Sequence, residues 1–402
     1  MTKSIEEVRS DIPFLGSGII YFDNAATTPT PEPVIESMLE YYREYSANIG
    51  RGVHEATKRA TDSFESSREK IAKVIGCKPG EIVYAKNTTE GLNLLARGLD
   101  LEKGDKVIAT ILDHHSNLIP WQKLEEERGI ELEIVRKCRD FEIDPQAVED
   151  AINERTRVVT MPSVSNAFGT RQPVEEVGRI AEENDVLFSV DAAQSVGHMP
   201  VDVDEIGCDF LAAAGHKGLL GPQGTGFLYV REELTEEIQP LLYGGGIVRS
   251  VGEHKCELVN PPQVFDAGTP NIPGIIGLGR AAEYVLDIGL ENIEHQEQKL
   301  VNRILEVDAF DNVEVYGSGS VQKLGGVVSF NLKGLDSHEV SSLLDEIGNI
   351  ATRSGHHCAE PAMKHFDVEG NVRASVHYYN TIEEVEKFLE ILGEISKELA
   401  QS

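Results

Sequence analysis

Between about residues 60 and 280, short hydrophobic runs alternate with amphipathic segments along this chain. The hydrophobic runs predict strands, among them 81–85, 106–110, 131–135, 157–161, 186–190 and 210–214. Between these runs, apolar residues recur at helical spacing, which predicts helices over 89–99, 118–128, 145–153 and 174–184. Strands that alternate with helices in this way are typical of a mostly parallel sheet covered on both faces. The predicted fold class is therefore α/β.

The pattern changes after about residue 285. The elements predicted beyond that point are a long charged helix over 289–307, an apolar run at 325–332, a helix over 336–347, an apolar run at 371–377 and a final helix over 381–399. This order is typical of a smaller α+β domain. The predicted organisation is an N-terminal segment that packs with the small domain, a large α/β domain and the small C-terminal domain, over residues 1–22, 23–285 and 286–402.

Composition and charge narrow the class of protein. The chain has 402 residues, of which 40% are hydrophobic, which is enough for a sizeable core and argues against disorder. Its 37 Lys and Arg against 68 Asp and Glu give a net charge of −31, which argues against nucleic acid or an anionic membrane as a main partner. An acidic surface fits either a salty cytoplasm or simple solubility, and both interpretations stay open.

Targeting and cysteine signals indicate the compartment. The N-terminus has no apolar stretch of signal-peptide length, and no 18-residue apolar window predicts a transmembrane helix. The five cysteines are scattered without a CxxC pair, so neither a structural zinc site nor a disulfide framework is indicated. We therefore expect a cytoplasmic protein.

Polar residues follow the predicted strands, where an open parallel sheet binds its ligands. Asp191 and Gln194 follow strand 186–190, and Lys217 follows the apolar run 210–214. A lysine beside an apolar pocket has a lowered pKa and becomes a nucleophile. With a carboxylate in the same crevice, it suits a Schiff-base lysine for pyridoxal phosphate and an acidic partner for the pyridine nitrogen. A lysine in a solvent-facing turn, with the aspartate capping a helix, is the alternative.

A second candidate lies at the start of the predicted helix 89–99. Thr88 and Thr89 follow strand 81–85, and the backbone N–H groups and hydroxyls at a helix N-terminus form a phosphate-binding cup. An ordinary N-cap, with Glu90 completing a capping box, explains the same residues. The sequence leaves both interpretations open.

Two further strand ends carry polar side chains. His114 and His115 follow strand 106–110, and Asn166 follows strand 157–161. A histidine in this crevice can stack on an aromatic cofactor or move protons. A metal-binding pair is the competing interpretation, although adjacent residues point in different directions and rarely bind one ion.

The last candidate is a cysteine in a polar loop. Cys358 follows Gly355, His356 and His357, and Arg373 lies 15 residues beyond it. Histidine and arginine neighbours favour the thiolate form of a cysteine. A zinc site formed by the two histidines and the cysteine is an alternative, but it lacks the spaced ligand pairs usual for zinc.

Taken together, the motifs of this chain match those of a known family. The chain resembles the class V branch of fold-type-I pyridoxal phosphate enzymes, and within it the group II, or SUF-type, cysteine desulfurases. The motifs that carry the resemblance span nearly the whole chain and are Tyr21-Phe-Asp-Asn-Ala-Ala-Thr-Thr, Asn87-Thr-Thr-Glu-Gly, Asp113-His-His-Ser-Asn, Val190-Asp-Ala-Ala-Gln, Gly215-His-Lys, Asp266-Ala-Gly-Thr-Pro-Asn, Arg353-Ser-Gly-His-His-Cys and Arg373-Ala-Ser. Their joint order is specific for the family, and the cysteine loop with its downstream arginine is specific for the desulfurase branch.

The resemblance implies roles for the residues around the cofactor. Lys217 bonds covalently to pyridoxal phosphate and then moves the substrate Cα proton, Asp191 pairs with the ring nitrogen, Gln194 bonds the phenolic oxygen and His114 stacks on the ring. The residues implied to hold the phosphate are Thr88, Thr89, His216 and, from the neighbouring subunit, Thr269.

The resemblance also implies a substrate and a reaction. Asn166 and Arg373 hold the substrate carboxylate, with Arg353 as a helper. Cys358 attacks the substrate sulfur, so that L-cysteine becomes L-alanine and the cysteine becomes a persulfide. The sulfur then passes to iron–sulfur cluster assembly or another thiolation pathway.

Partners follow from the same resemblance. The family is homodimeric, because the 266–271 loop completes the site of the partner subunit. The segment 244–264 resembles a hairpin that shields the cysteine loop, which predicts low basal activity and stimulation by a sulfur acceptor of SufE or SufU type. His338 and Cys256 are candidates for contact with that acceptor, and ordinary surface residues are the alternative.

The chain departs from the SUF-type pattern at a few positions. Gly50 stands where a histidine is usual, and Ala214 stands where a serine precedes the Gly-His-Lys motif. One extra residue occurs in 218–221 and another in 346–352. These departures suggest a sister subgroup.

Other functions fit parts of the sequence. A selenocysteine lyase, acting on L-selenocysteine, has the same fold and loop. A class V aminotransferase or epimerase with an incidental cysteine is a further alternative, as is a scaffold protein that has lost its chemistry. The intact Lys217, Asp191 and Cys358 argue against the scaffold.

Overall fold

The structure, a computed structural model, describes residues 3–310 and 312–401. The helices are α1 (Ile5–Ser10), α2 (Glu32–Glu44), α3 (Glu55–Val74), α4 (Thr88–Gly98), α5 (His115–Arg128), α6 (Pro145–Ala151), α7 (Val174–Glu183), α8 (Val203–Ile206), α9 (Ile272–Ile288), α10 (Leu290–Ile304), α11 (Ser337–Gly348), α12 (Glu360–His365) and α13 (Ile382–Gln401). The strands are β1 (Ile20–Tyr21), β2 (Ile82–Ala85), β3 (Lys106–Thr110), β4 (Glu131–Val135), β5 (Cys138–Arg139), β6 (Glu142–Ile143), β7 (Thr156–Pro162), β8 (Leu187–Asp191), β9 (Phe210–Ala214), β10 (Gly226–Val230), β11 (Val248–Val251), β12 (Cys256–Leu258), β13 (Val313–Tyr316), β14 (Val327–Leu332), β15 (Ile350–Ala351), β16 (Arg353–Gly355) and β17 (Asn371–Ser375).

The larger sheet has seven strands in the order β2-β10-β9-β8-β7-β3-β4. The five strands β9-β8-β7-β3-β4 run parallel to one another. Strand β10 runs antiparallel to both of its neighbours, β2 and β9. Strands β3, β9 and β10 are buried along their whole length, which is why their sequences are continuous apolar runs instead of alternating ones. The predicted α/β fold class and the predicted strands of this sheet are confirmed.

Some elements of the structure are absent from the sequence prediction. Strand β10 was not predicted, although its residues, Gly-Phe-Leu-Tyr-Val, form a buried run. Helices α3 and α9 were also not predicted, and α3 carries mostly polar residues with one narrow buried face. The charged helix predicted over 289–307 is α10, which ends at Ile304 and is separated from α9 by Gly289 in the left-handed region (φ 91°).

A second, antiparallel sheet has the order β13-β14-β17-β16 and packs against α10, α11 and α13. Its core also contains Ile20 and Phe22 from the N-terminal segment, because β1 pairs in parallel with β15. The predicted division at residues 22 and 285 stays a prediction. Within the described residues, no helix is both long and apolar enough to cross a membrane.

Candidate active site

A cavity of about 240 Å³ lies at the carboxyl ends of β7, β8 and β9, beside the N-terminus of α4. This is where a parallel sheet positions loop residues around a ligand. Eight residues singled out from the sequence line it: Thr88, Thr89, His114, Asn166, Asp191, Gln194, His216 and Lys217. The structure therefore brings together polar residues from Thr88 to Lys217, up to about 130 residues apart in sequence.

Lys217 is half-buried, and its side chain lines the cavity. Burial lowers the pKa of its amine to about 8, while the nearby Asp191 carboxylate acts in the opposite direction. An amine with this pKa is still mostly protonated at pH 7, but its unprotonated fraction, which a nucleophile requires, is far larger than that of an ordinary lysine. Its place on the cavity wall argues against the alternative of a solvent-facing lysine turn.

Asp191 is the last residue of β8 and is 5% exposed. Burial raises the pKa of its carboxyl group, and the N–H of Ala193 donates a 3.0 Å hydrogen bond that opposes this shift. Gln194 donates from Nε2 to the carbonyl of Ala25 at 2.9 Å, which fixes its amide at the cavity wall. The carboxyl group and the amide therefore present fixed polar atoms to a bound ligand.

His114 lines the cavity as a neutral ring. Its Nδ1 accepts a 3.0 Å hydrogen bond from the N–H of Ser116, so Nε2 carries the hydrogen. Burial lowers the pKa of His114 to about 4. The adjacent His115 instead points to Glu360, with its Nε2 2.5 Å from a carboxylate oxygen. The two histidines diverge, which argues against the metal-pair interpretation.

The N-terminus of α4 supports both interpretations of its sequence. Asn87 caps the helix by accepting from the N–H of Glu90 at 2.9 Å, and Glu90 accepts from the N–H of Lys86 at 2.6 Å. The Oγ1 of Thr88 is nevertheless buried without a hydrogen-bond partner, as is Nδ1 of His216. Buried polar atoms are rarely left unpaired, so two of them in one cavity beside a helix N-terminus fit a phosphate group.

Cys358 is exposed and lies between β16 and α12 in a loop held against the cavity wall. Asn166 donates from Nδ2 to the carbonyl of His357 at 2.7 Å, and the N–H of His115 donates to the carbonyl of Cys358 at 2.9 Å. Both His357 and Cys358 have left-handed backbone conformations, with φ of 52° and 55°. These bonds hold the thiol-bearing loop against Asn166, which lines the cavity, and against the backbone of His115, which follows the cavity-lining His114.

The zinc interpretation of this loop finds no support in the geometry. His357 is buried with Nε2 2.7 Å from Oδ1 of Asn371, whereas His356 approaches Glu360, at 3.9 Å. The two rings therefore turn to different partners instead of converging with the sulfur of Cys358.

The two predicted arginines lie opposite each other on β16 and β17. Arg373 is 3% exposed and donates from Nη1 to the carbonyl of Asn166 at 2.9 Å, while its Nε has no partner. Burial lowers the pKa of Arg373 to about 10, so it stays cationic near neutral pH. Arg353 is half exposed and forms a bidentate pair with Asp23 at 2.9 and 2.7 Å.

Asp23 is a site residue that sequence reasoning missed. Its carboxylate pairs with Arg353 and lies 3.6 Å from Nη2 of Arg373, so it is shared between the two arginines. The residue belongs to the Tyr21-Phe-Asp-Asn motif, but nothing in the local pattern indicated that its partners lie more than 300 residues away. Asp23 approaches Arg373 only at Nη2, so Nε of Arg373 is left as the unpaired nitrogen that a carboxylate ligand can use.

Thr269 is exposed and is not part of the cavity wall formed by its own chain. Its Oγ1 accepts a 3.4 Å hydrogen bond from Nδ2 of Asn48. The preceding loop is fixed by Arg68, whose Nη2 donates to Asp266 at 2.8 Å. One subunit therefore does not bring Thr269 to its own lysine.

The departures from the SUF-type pattern have structural counterparts. Ala214 ends β9 and lines the cavity with a methyl group where a hydroxyl is usual. Gly50 has φ of 91°, a conformation that a histidine rarely adopts. Leu220, in the longer segment after the lysine, is buried with φ of 60°.

Comparison with known proteins agrees with the site. The family model described as "Aminotransferase class-V" matches residues 20–388. A "Probable cysteine desulfurase" of Methanothermobacter thermautotrophicus is 47% identical over 399 residues, covering 98% of both chains. A "Cysteine desulfurase" of Haloferax volcanii is 39% identical, covering 93% of this chain and 88% of that one. The apo structure of a cysteine desulfurase from Thermococcus onnurineus superposes with a TM-score of 0.95 at 47% identity, covering 99% of both chains.

The fold and the lysine cavity thus define a class V aminotransferase-type enzyme. The chain belongs to the aminotransferase class V family, among its cysteine desulfurases. The resemblance stated from the motifs and the fold class are confirmed. The comparisons support the cysteine desulfurase activity, and membership of the class V family supports the pyridoxal phosphate cofactor.

Proposed function

We propose that the protein is a pyridoxal phosphate-dependent cysteine desulfurase, which converts L-cysteine to L-alanine and keeps the sulfur as a persulfide on Cys358. The observation that carries this proposal is the anchoring of an exposed thiol loop on the wall of a lysine-containing cavity, through Asn166 and His115. A class V enzyme that only transfers amino groups or protons needs the lysine but not the thiol.

The residues present fit pyridoxal phosphate. Lys217 supplies the amine for a covalent bond, Asp191 the buried acid for the pyridine nitrogen, and Gln194 an amide for the phenolic oxygen. The residues available for the phosphate are Thr88, Thr89 and His216, two of which have buried atoms without partners. When bound, the cofactor supplies an electron sink that stabilises negative charge next to the substrate Cα.

The remaining residues are suited to an amino acid substrate. Arg373 offers an unpaired guanidinium nitrogen to the substrate carboxylate, and Asn166 stands beside it. Arg353 is paired with Asp23, so we assign it an indirect role. It adds positive charge next to Arg373 and does not bind the substrate itself. The amine of Lys217, with its lowered pKa, can take the proton from the substrate Cα and return it.

The thiolate of Cys358 then attacks the substrate sulfur. A sulfur–sulfur bond forms as the bond between the substrate Cβ and its sulfur breaks. The electron pair of the broken bond stays on carbon, which takes up a proton and becomes the methyl group of alanine. The cysteine is left carrying sulfane sulfur, and no external oxidant or reductant is consumed.

We also propose two partners, a second subunit of the same chain and a sulfur-acceptor protein. Thr269 stands outside its own cavity, which fits a homodimer in which each 266–271 loop contributes to the other site. The sulfur acceptor is proposed to be a protein of SufE or SufU type that serves iron–sulfur cluster assembly or another thiolation pathway, and the proposed compartment is the cytoplasm. His338 supports an acceptor contact near the loop, because it is exposed and its Nδ1 lies 2.8 Å from Oγ of Ser354.

The test is product analysis on purified protein reconstituted with pyridoxal phosphate, with L-cysteine and a thiol reductant. We expect equal amounts of alanine and sulfide from the wild type and only background from Cys358→Ala. Cys256→Ala is the matched control, since Cys256 is also exposed but lies on the β11–β12 hairpin. Full turnover by Cys358→Ala would contradict the proposal, and turnover of L-selenocysteine alone by that variant would favour a selenocysteine lyase.

The acceptor is tested separately. Adding a SufE- or SufU-type protein to the wild-type enzyme is expected to raise sulfide release, because sulfur transfer from Cys358 would otherwise limit turnover. An unchanged rate over a range of acceptor concentrations would count against this part of the proposal.

A further inference from the structure

Behind the lysine loop lies a buried cluster of three titratable side chains that the proposed reaction does not use. His198, Glu297 and His377 each place one nitrogen or oxygen within 4.8 Å of the others, and all three are buried. Nδ1 of His198 lies 2.8 Å from Oε1 of Glu297, and the two imidazole centroids are 5.0 Å apart. Burial raises the pKa of Glu297 to about 8 and lowers that of His198 to about 4.

The hydrogen bonds of His377 argue against a metal site here. The N–H of Tyr378 donates to Nδ1 of His377 at 2.8 Å, so Nε2 carries the hydrogen and donates to the carbonyl of Gly218 at 3.0 Å. The ring therefore has no free lone pair for a metal ion. Burial lowers the pKa of His377 to about 4, which keeps this neutral tautomer near neutral pH.

The carbonyl that accepts the hydrogen bond from His377 belongs to Gly218, the residue after Lys217. Three successive carbonyls of this loop are held from outside it. The carbonyl of His216 accepts from the N–H of Thr28 at 2.8 Å, and that of Lys217 accepts from Oγ1 of Thr28 at 2.7 Å. The third, of Gly218, is held by His377. The backbone on both sides of the lysine is thus fixed by an N-terminal residue and a C-terminal residue.

The cluster packs closely against this loop. A Cβ added at Gly218 would lie 2.6 Å from Cδ2 of His198, and one added at Gly326 would lie 2.7 Å from Oε2 of Glu297. The contact at Gly218 leaves no space for a shift of the loop toward His198, and the contact at Gly326 shows that Glu297 is closely packed on its other side. The His198–Glu297 pair therefore supports the loop from behind, and His377 holds its carbonyl.

We propose that His377 is a positioning residue for Lys217: its Nε2–H holds the Gly218 carbonyl and so directs the lysine amine into the cavity. His377 lies two residues beyond β17, the strand that carries Arg373, so one segment holds both the loop of the lysine and the proposed carboxylate-binding arginine. The inference rests on the proposed function, because it takes Lys217 as the residue that bonds the cofactor.

The test measures the rate at which pyridoxal phosphate bonds to Lys217 in the apoprotein, with borohydride reduction and peptide mapping to identify the lysine. His377→Phe keeps the ring shape but loses both hydrogen bonds of the imidazole. We expect the rate constant to fall about tenfold, the effect of leaving the buried Gly218 carbonyl without its donor. His377→Gln can still accept from Tyr378 and donate to Gly218, and it is expected to restore the rate to within about twofold of the wild type.

Controls separate positioning from general destabilisation. Tyr378→Phe removes a 2.9 Å bond from the same segment to the carbonyl of Lys3 and should leave the bonding rate unchanged. Amide hydrogen exchange of residues 217–221 should increase in His377→Phe and not in Tyr378→Phe.

The outcomes are distinguishable. Equal rates for wild type and His377→Phe, or failure of His377→Gln to restore the rate, would overturn the inference. A stoichiometric transition metal in the purified protein that is lost in His377→Gln would also overturn it. Failure of the wild type itself to bond pyridoxal phosphate at Lys217 would instead contradict the proposed function.

Discussion

At the scale of single residues, the chemistry of the site depends on how its charges are buried. Burial lowers the pKa of Lys217 to about 8, and the carboxylate of Asp191 opposes this shift because it favours the charged amine. Burial raises the pKa of Asp191 itself. The two groups are therefore coupled, and changing one should change the titration of the other.

This coupling predicts a pH dependence. In the apoprotein, the rate at which Lys217 bonds pyridoxal phosphate should rise with pH around a midpoint near 8, because only the unprotonated amine reacts. Asp191→Asn removes the charge that favours the ammonium form, so the midpoint should move to lower pH. A midpoint above that of the wild type in stopped-flow measurements would contradict this assignment of charges.

The shared carboxylate of Asp23 gives a second prediction. Asp23→Asn removes the carboxylate charge that pairs with Arg353 and lies next to Arg373. The two guanidinium groups therefore lose their fixed arrangement. We expect KM for L-cysteine to rise about tenfold with a smaller change in kcat, as for a lost binding interaction. Asp144→Asn, at the N-cap of α6, is the control and should leave KM unchanged. A fall in kcat alone would point to a different role.

At the scale of elements, the alternation of strands and helices in the sequence predicted the position of the cavity, at the carboxyl ends of the parallel strands. Asp191 and Lys217 could be located because each follows a buried strand, and parallel strands end at the same edge of a sheet. Asp23 and His377 could not, because they reach the site by contacts across 159 to 330 residues that local periodicity does not encode. Strand β10 is antiparallel and was missed because its run lacks a following helix in the expected pattern.

The turn after β8 gives a prediction about stability. Gly197 has φ of 87°, and a Cβ there would lie 2.2 Å from the carbonyl carbon of Gly218. Gly197→Ala should therefore lower the free energy of unfolding by about 2 kcal/mol or more and displace the lysine loop. Gly80→Ala is the matched control, because an added Cβ there meets nothing within 4 Å and its φ is not positive. Equal midpoints of thermal unfolding for the two variants would contradict the account.

At the scale of the whole molecule, the charge is strongly unbalanced. The net charge of −31 gives a self-repulsion that acts against the compact state, and salt screens it over about 10 Å at 0.1 M. Ion pairs on the surface lose strength under the same conditions, but exposed pairs contribute little. The balance therefore favours stabilisation by salt.

This balance is tested by thermal unfolding in potassium chloride. The midpoint should rise by several degrees between about 0.1 M and about 1 M salt, since the screened repulsion exceeds the weakened ion pairs. A steady fall of the midpoint over this range would show that the surface ion pairs dominate instead.

The central claim is that Cys358 receives the substrate sulfur. The most direct measurement is a single turnover of the reconstituted enzyme with L-cysteine, followed by alkylation and mass spectrometry of the peptide that contains Cys358. We expect one additional sulfur atom on Cys358, formed together with one alanine per active site and absent from Cys256. Alanine released without any sulfur on Cys358 would contradict it.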